Sequence, residues 1–231
     1  MDKIFKSKHQ QKRISKSITR GRISPTSNDF EEQFAIFLER CLNDNYEFIV
    51  DYPISYKMAN QRFKQIYPDI IVLKKGTHII EGLFEVKIDI ANDEPSNLIP
   101  KKNEGQTRNE HFKSVYLPYY SKDNWIVNVR EKVKTIYQND LCQLQYTPFN
   151  YKKPVPLEVS KEFKYAYILL SSVHGKEKYE RLPVVNNLFT LLVNVHLNNF
   201  SGSKNELKDK NNQEQWCKLA DYLFENYGLR G

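Results

Sequence analysis

Two carboxylates and a lysine are the residues of this sequence best placed to do chemistry. Tyr67-Pro68-Asp69-Ile70-Ile71-Val72-Leu73 is an apolar run opened by an acid, and Gly82-Leu83-Phe84-Glu85-Val86-Lys87-Ile88-Asp89 is a second run carrying alternate charges. Between them, Lys74-Lys75-Gly76-Thr77 has the composition of a hairpin loop. Side chains of a strand alternate between faces, so Glu81, Leu83, Glu85, Lys87 and Asp89 share one face, and Ile80, Phe84, Val86, Ile88 and Ile90 the other. A hairpin centred on Gly76 sets Asp69 opposite Leu83, on the Glu85 face, with Glu85 about 7–8 Å away along the diagonal. Carboxylates reaching toward each other from there can share a hard cation at roughly 2.1 Å from each oxygen, the magnesium distance. Lys87 adds a point charge beside them. The cation polarises a phosphoryl oxygen and acidifies water, and the ammonium steadies developing negative charge, so the trio suits phosphodiester hydrolysis. The plainer alternative is an amphipathic hairpin with a wet, charged face.

The flanking pattern predicts the elements that must position these residues. Ser24 to Asp29 offers several N-caps, and Phe30, Phe34, Phe37, Leu38 and Cys41 recur at helical spacing, so a helix of about three and a half turns begins there. Glu31 and Glu32 open its polar face, where acids also suit the helix dipole. Tyr46, Phe48, Val50, Tyr52, Ile54 and Tyr56 alternate as one strand. Residues 91 to 110 read as a polar loop leading into a short helix near Glu104 to Tyr116, followed by a helix bearing Trp125, Val129, Val133 and Ile136 or Tyr137. Phe163 to Ser171 is apolar on both faces and reads as a central strand, with a weaker one from Leu188 to Val195. Trp216, Leu219, Ala220, Leu223, Phe224 and Tyr227 mark a last helix ended by Gly228. Helices and strands interleave, so the class is mixed α/β with a covered sheet.

Pro68-Asp69, fifteen intervening residues, then Glu85-Val86-Lys87 on the next strand resembles the PD-(D/E)xK nuclease superfamily, which includes many restriction endonucleases. Phe30-Glu31-Glu32-Gln33-Phe34-Ala35 is similar to that family's first helix, with Glu31 the better match by spacing and Glu32 the alternative. The resemblance covers roughly residues 27 to 90. It implies a restriction-endonuclease-like α/β fold, with a mixed central sheet flanked by helices, and magnesium-dependent cleavage of DNA. Asp69 and Glu85 would be the metal ligands, Lys87 the nucleophile-side cation and Glu31 an accessory acid. A chain of this size without a helicase or methyltransferase segment looks most like a type II restriction endonuclease, commonly a homodimer because two antiparallel strands need two sites. A repair, junction or transposon nuclease of the same fold, and a DNA-binding protein without catalysis, are the rival readings.

Charge and composition agree with a nucleic-acid partner. The 231 residues hold 35 Lys and Arg against 28 Asp and Glu, a net charge of +7, which favours polyanions. Lys3, Lys6, Lys8, Lys12, Arg13, Lys16, Arg20 and Arg22 face one acid, Asp2, in the first 22 residues. Residues 1–25 are therefore expected to be a basic arm, either a solvated tail or a phosphate contact, and 26–231 a single nuclease domain. Lys101, Lys102, Arg108 and Lys113 are candidate contacts to the DNA backbone, and Gln106, Arg108 and Asn109 candidate readers of base edges; a solvated loop explains them equally. Cys41, Cys142 and Cys217 are far apart, without metal or disulfide spacing, and the five histidines are scattered. P-loop, dinucleotide-fold and hydrolase-elbow motifs are absent from the sequence. With no apolar stretch near 20 residues and no secretory pattern at the start, the expectation is a cytoplasmic protein without a membrane partner.

Overall fold

The computed structural model describes residues 12–21, 29–88, 103–107, 110, 124–171, 187–192 and 210–230. Its elements, in chain order, are β1 (Lys12–Arg13), β2 (Ile18–Arg20), α1 (Asp29–Cys41), β3 (Tyr46–Val50), β4 (Ile54–Lys57), β5 (Lys64–Ile66), β6 (Ile70–Lys74), β7 (Ile79–Ile88), α2 (Asn124–Tyr137), β8 (Gln143–Tyr146), β9 (Val155–Ser171), β10 (Leu188–Leu192) and α3 (Lys210–Tyr227). The described strands form one mixed sheet ordered β1-β2-β3-β6-β7-β9-β8-β4-β5, with β10 also paired to β9. The α/β class and the helix-flanked mixed sheet agree with the expectation.

Three strands hold the centre. β3, β6 and β7 pair antiparallel in succession, and β9 then runs parallel to β7. Ile70, Ile71 and Val72 are buried on both faces, as a central strand requires. One face meets α1 and α3. Phe30, Phe34, Leu38 and Leu42, spaced by four, join Phe84, Val86, Ile168 and Leu223 in one core, and the Phe34 and Phe84 rings meet edge-on with centroids 5.7 Å apart. The other face meets α2 and the β4–β8 strands, with Ile71, Leu73, Leu83, Val133, Ile136 and Leu144 in a second core. Gly228, at φ 72°, caps α3 by donating its N–H to the Phe224 carbonyl, and the side-chain amide of Asn43, just beyond α1, donates to the Tyr227 carbonyl at 2.9 Å.

Three expectations need correcting. The strand expected from Tyr46 to Tyr56 is two strands, because Asp51 takes φ 44° and Pro53 has no N–H to continue a ladder. The corner sends Phe48 and Val50 into the first core but Tyr52 and Ile54 into the second. The basic arm is not separate from the domain throughout. Residues 12–21 add β1 and β2 to the sheet, β2 runs parallel to β3, and Ile18 and Arg20 are buried. Finally, Asp69 is not across from Leu83, whose partner is Ile71. Ile70 pairs Phe84 and Leu73 pairs Ile80, with a bulge at Glu81, and that bulge turns Ile80 into the second core beside Leu83. The shift totals two residues, so Asp69 stays on the expected face. The short helix expected near 104–116 falls mostly outside the described residues.

Candidate active site

The site grows from the edge of β6. Asp69 precedes that strand, one step beyond the Ile70–Phe84 pair, so it stands across from Glu85. Its carboxylate Oδ2 accepts the backbone N–H of Val86 at 2.8 Å, and its own carbonyl accepts the N–H of Asp51 at 2.9 Å. Both ends of the residue are thus tied to neighbouring chain. Asp69 and Glu85 are both half-buried. Lys87 follows on β7 with its backbone opposite Leu169 of β9, while its side chain lies outside the described ones.

Beside the carboxylates lies a wall of aromatic side chains that no motif in the sequence marks. Tyr167 of β9 is in register with Glu85 of the parallel neighbour β7, which puts both on one face of the sheet. Tyr165, next on that face of β9, accepts from Arg130 Nε of α2 at 3.3 Å, and its ring meets Tyr167 edge-on. Tyr137, the last residue of α2, stacks on Phe163 with centroids 5.4 Å apart. Burial raises the Tyr137 phenol far above its usual range, and the negative charges of Glu85 and Asp69 push it further. Tyr167 is raised by burial first, then by Tyr165 and Glu85. Both phenols remain protonated donors at any ordinary pH.

A second cluster sits at the same end of the sheet. Arg20, only 2% exposed, places Nη2 3.0 Å from Glu31 Oε2 and 3.9 Å from Asp51 Oδ2, and Nη1 3.7 Å from Glu32 Oε2. The expected accessory acid and its alternative therefore share one buried guanidinium. The cluster reaches Asp69 through the backbone bond from Asp51. Neither Arg20 nor Asp51 was singled out by motif. The only signal was Asp51-Tyr52-Pro53 interrupting the alternation, and Arg20 was hidden among the other basic residues of the N-terminal segment.

Among the described residues, no group of three or more His, Cys, Asp and Glu is arranged to hold a metal. The Asp69–Glu85 pair supplies two carboxylates, a donor set that suits magnesium, which keeps several waters and takes one or two carboxylates with phosphate oxygens. Lys101, Lys102, Arg108, Asn109 and Lys113 lie outside the described residues, whereas Gln106 belongs to the turn at 103–107. No helix among the described residues is long and apolar enough to cross a membrane. No family model matches the chain, and no curated protein or solved structure matches it either.

Proposed function

We propose that this chain is a magnesium-dependent endonuclease that hydrolyses phosphodiester bonds of double-stranded DNA, a type II restriction endonuclease acting at a specific sequence. The observation that carries the reading is the position of Asp69, whose carboxylate is hydrogen-bonded to β7 at Val86, between Glu85 and Lys87 in the chain. Asp69 and Glu85 would hold the magnesium. Bound there, the ion supplies Lewis acidity to a phosphoryl oxygen and lowers the pKa of water.

The protein's own groups do the rest. The bond to Val86 stops the Asp69 carboxylate from rotating, and the central strand fixes Glu85. The Lys87 ammonium steadies negative charge on the nucleophile side. Glu31 acts at a remove. It fixes Arg20, which lies against Asp51, and the Asp51 amide holds the Asp69 carbonyl. The net charge of +7 favours approach to a polyanion. A cytoplasmic homodimer would bring one such site to each strand of the duplex.

A plasmid cleavage assay with magnesium, with EDTA and with Lys87→Ala tests the proposal. Discrete fragments from the wild type in magnesium alone support it. Nicking or smearing keeps the metal chemistry but replaces site-specific restriction with structure-specific cutting. Binding without cleavage under any divalent cation leaves a non-catalytic DNA-binding protein.

A further inference from the structure

We infer that the Tyr167 hydroxyl, seconded by that of Tyr137, is a hydrogen-bond donor to a phosphodiester oxygen bound at the Asp69–Glu85 pair. The inference rests on the nuclease reading and adds two residues that no motif in the sequence assigns.

Both hydroxyls are fully buried and have no hydrogen-bond partner among the described residues. The side chains are 5% and 2% exposed for Tyr137 and Tyr167. A buried donor left unpaired costs about 1–3 kcal/mol. Tyr222 and Tyr227 leave such atoms in the opposite core as well, so what distinguishes Tyr137 and Tyr167 is their position beside the carboxylates. Their placement is specific. Tyr167 is the register partner of Glu85 on the adjacent parallel strand, and Tyr137, at the end of α2, lies in the second core stacked on Phe163 of β9.

The two sets of groups make opposite demands on a ligand. Ionised carboxylates only accept hydrogen bonds and attract positive charge, whereas protonated phenols have a proton to give. One ligand that satisfies both carries a cationic centre toward the acids and acceptor oxygens toward the phenols. A divalent cation together with a phosphodiester does so. An apolar ligand would not. A donor aimed at a phosphoryl oxygen contributes most when that oxygen gains charge in the transition state, so its loss acts on the rate of the bound complex.

The test uses the full chain as wild type, Tyr167→Phe, Tyr137→Phe and the double variant. Single-turnover plasmid cleavage in magnesium is measured beside magnesium affinity by calorimetry, duplex affinity by anisotropy with calcium replacing magnesium, and thermal unfolding. For Tyr167→Phe the expected result is a cleavage rate lower by about 10–100-fold, with magnesium affinity unchanged and Tm equal or higher. The double variant should be slower still. A Tyr167→Phe enzyme that is more stable and cleaves as fast as the wild type overturns the inference and leaves the nuclease reading standing. Loss of magnesium affinity in step with rate also overturns it, because the hydroxyl would then act on the carboxylates. A wild type that binds DNA but cleaves it under no divalent cation overturns the nuclease reading itself, and one that cleaves without any divalent cation overturns the magnesium site; either takes this role with it.

Discussion

Asp69 and Val86 are joined by a hydrogen bond of 2.8 Å between a side-chain carboxylate and a backbone amide. The bond crosses from the start of β6 to the middle of β7, and it brings an acid between Glu85 and Lys87 without using either side chain.

That bond separates two kinds of damage at Asp69. Asn can still accept from the Val86 amide, so Asp69→Asn should keep the fold and lose the negative charge. If the charge holds magnesium, cleavage should fall by about 1,000-fold or more, since a metal supplies several kcal/mol in the transition state. Asp69→Ala should also strand the amide, at a cost of about 1–3 kcal/mol in urea unfolding. Equal stability of the two variants would refute the structural half of this account.

Arg20 should be among the most sensitive positions in the protein. Its guanidinium is buried against Glu31, Glu32 and Asp51. Removing one partner of a buried ion pair costs roughly 3–5 kcal/mol because the others keep their charge without compensation. Arg20→Ala should lower the urea midpoint accordingly, and Arg20→Lys should recover only part, since an ammonium cannot fork between acids. A midpoint within error of the wild type would mean that β2 contributes little to the fold.

Gly82 is required by space rather than by turn geometry. A Cβ there would overlap the Tyr227 hydroxyl and come within 2.8 Å of the Lys164 carbonyl oxygen. Gly82→Ala should therefore destabilise by about 1–3 kcal/mol, the usual cost of overpacking. Tyr227→Phe in the same chain should return some of that loss but not the part due to the carbonyl. A double-mutant cycle on the unfolding free energies measures the coupling, and additivity would show that the ring moves aside.

Alkaline pH should unfold the protein steeply. Burial pushes the Tyr146 phenol up to about 12, with smaller contributions from Glu47 and Tyr151, and burial also raises Tyr137, Tyr167, Tyr222 and Tyr227. Between pH 10 and 12 the unfolded chain gives up the Tyr146 proton while the folded chain keeps it. The unfolded state then binds fewer protons, so stability is intact below pH 10 and falls as pH rises, by up to about 1.4 kcal/mol per pH unit for each such phenol. Tyr146→Phe should flatten this fall. Ultraviolet titration should show these tyrosines ionising together with unfolding; smooth ionisation of all 15 near pH 10 in the folded state would contradict the burial.

Much of this architecture was legible in the sequence where the signal is local. The stripe of Phe30, Phe34 and Leu38 fixed α1, because helical spacing alone gathers those residues on one side. The β6–β7 hairpin followed from two apolar runs around Lys74 to Thr77, with Gly76 at φ 69° in the turn. The double-sided apolar run of Phe163 to Ser171 marked β9 as central. The same local pattern put Asp69 on the Glu85 face, since face depends only on counting by two.

Only the tertiary structure decided the rest. Period-two alternation cannot say which strand a strand pairs with, and it loses count wherever a corner or bulge intervenes. Asp51 and Glu81 are such places, and they sent Tyr52 and Ile80 to the core opposite the one that counting assigned. Arg20 is one more charge in a basic segment until β2 pairs with β3 and buries it among three acids. Tyr167 reads as an ordinary core aromatic until β9 aligns with β7 and puts it beside Glu85. Residue types and local period set what each segment can be; the partners that convert those types into a site lie far away in the chain, and pairing across that distance is settled by burial and backbone hydrogen bonding together.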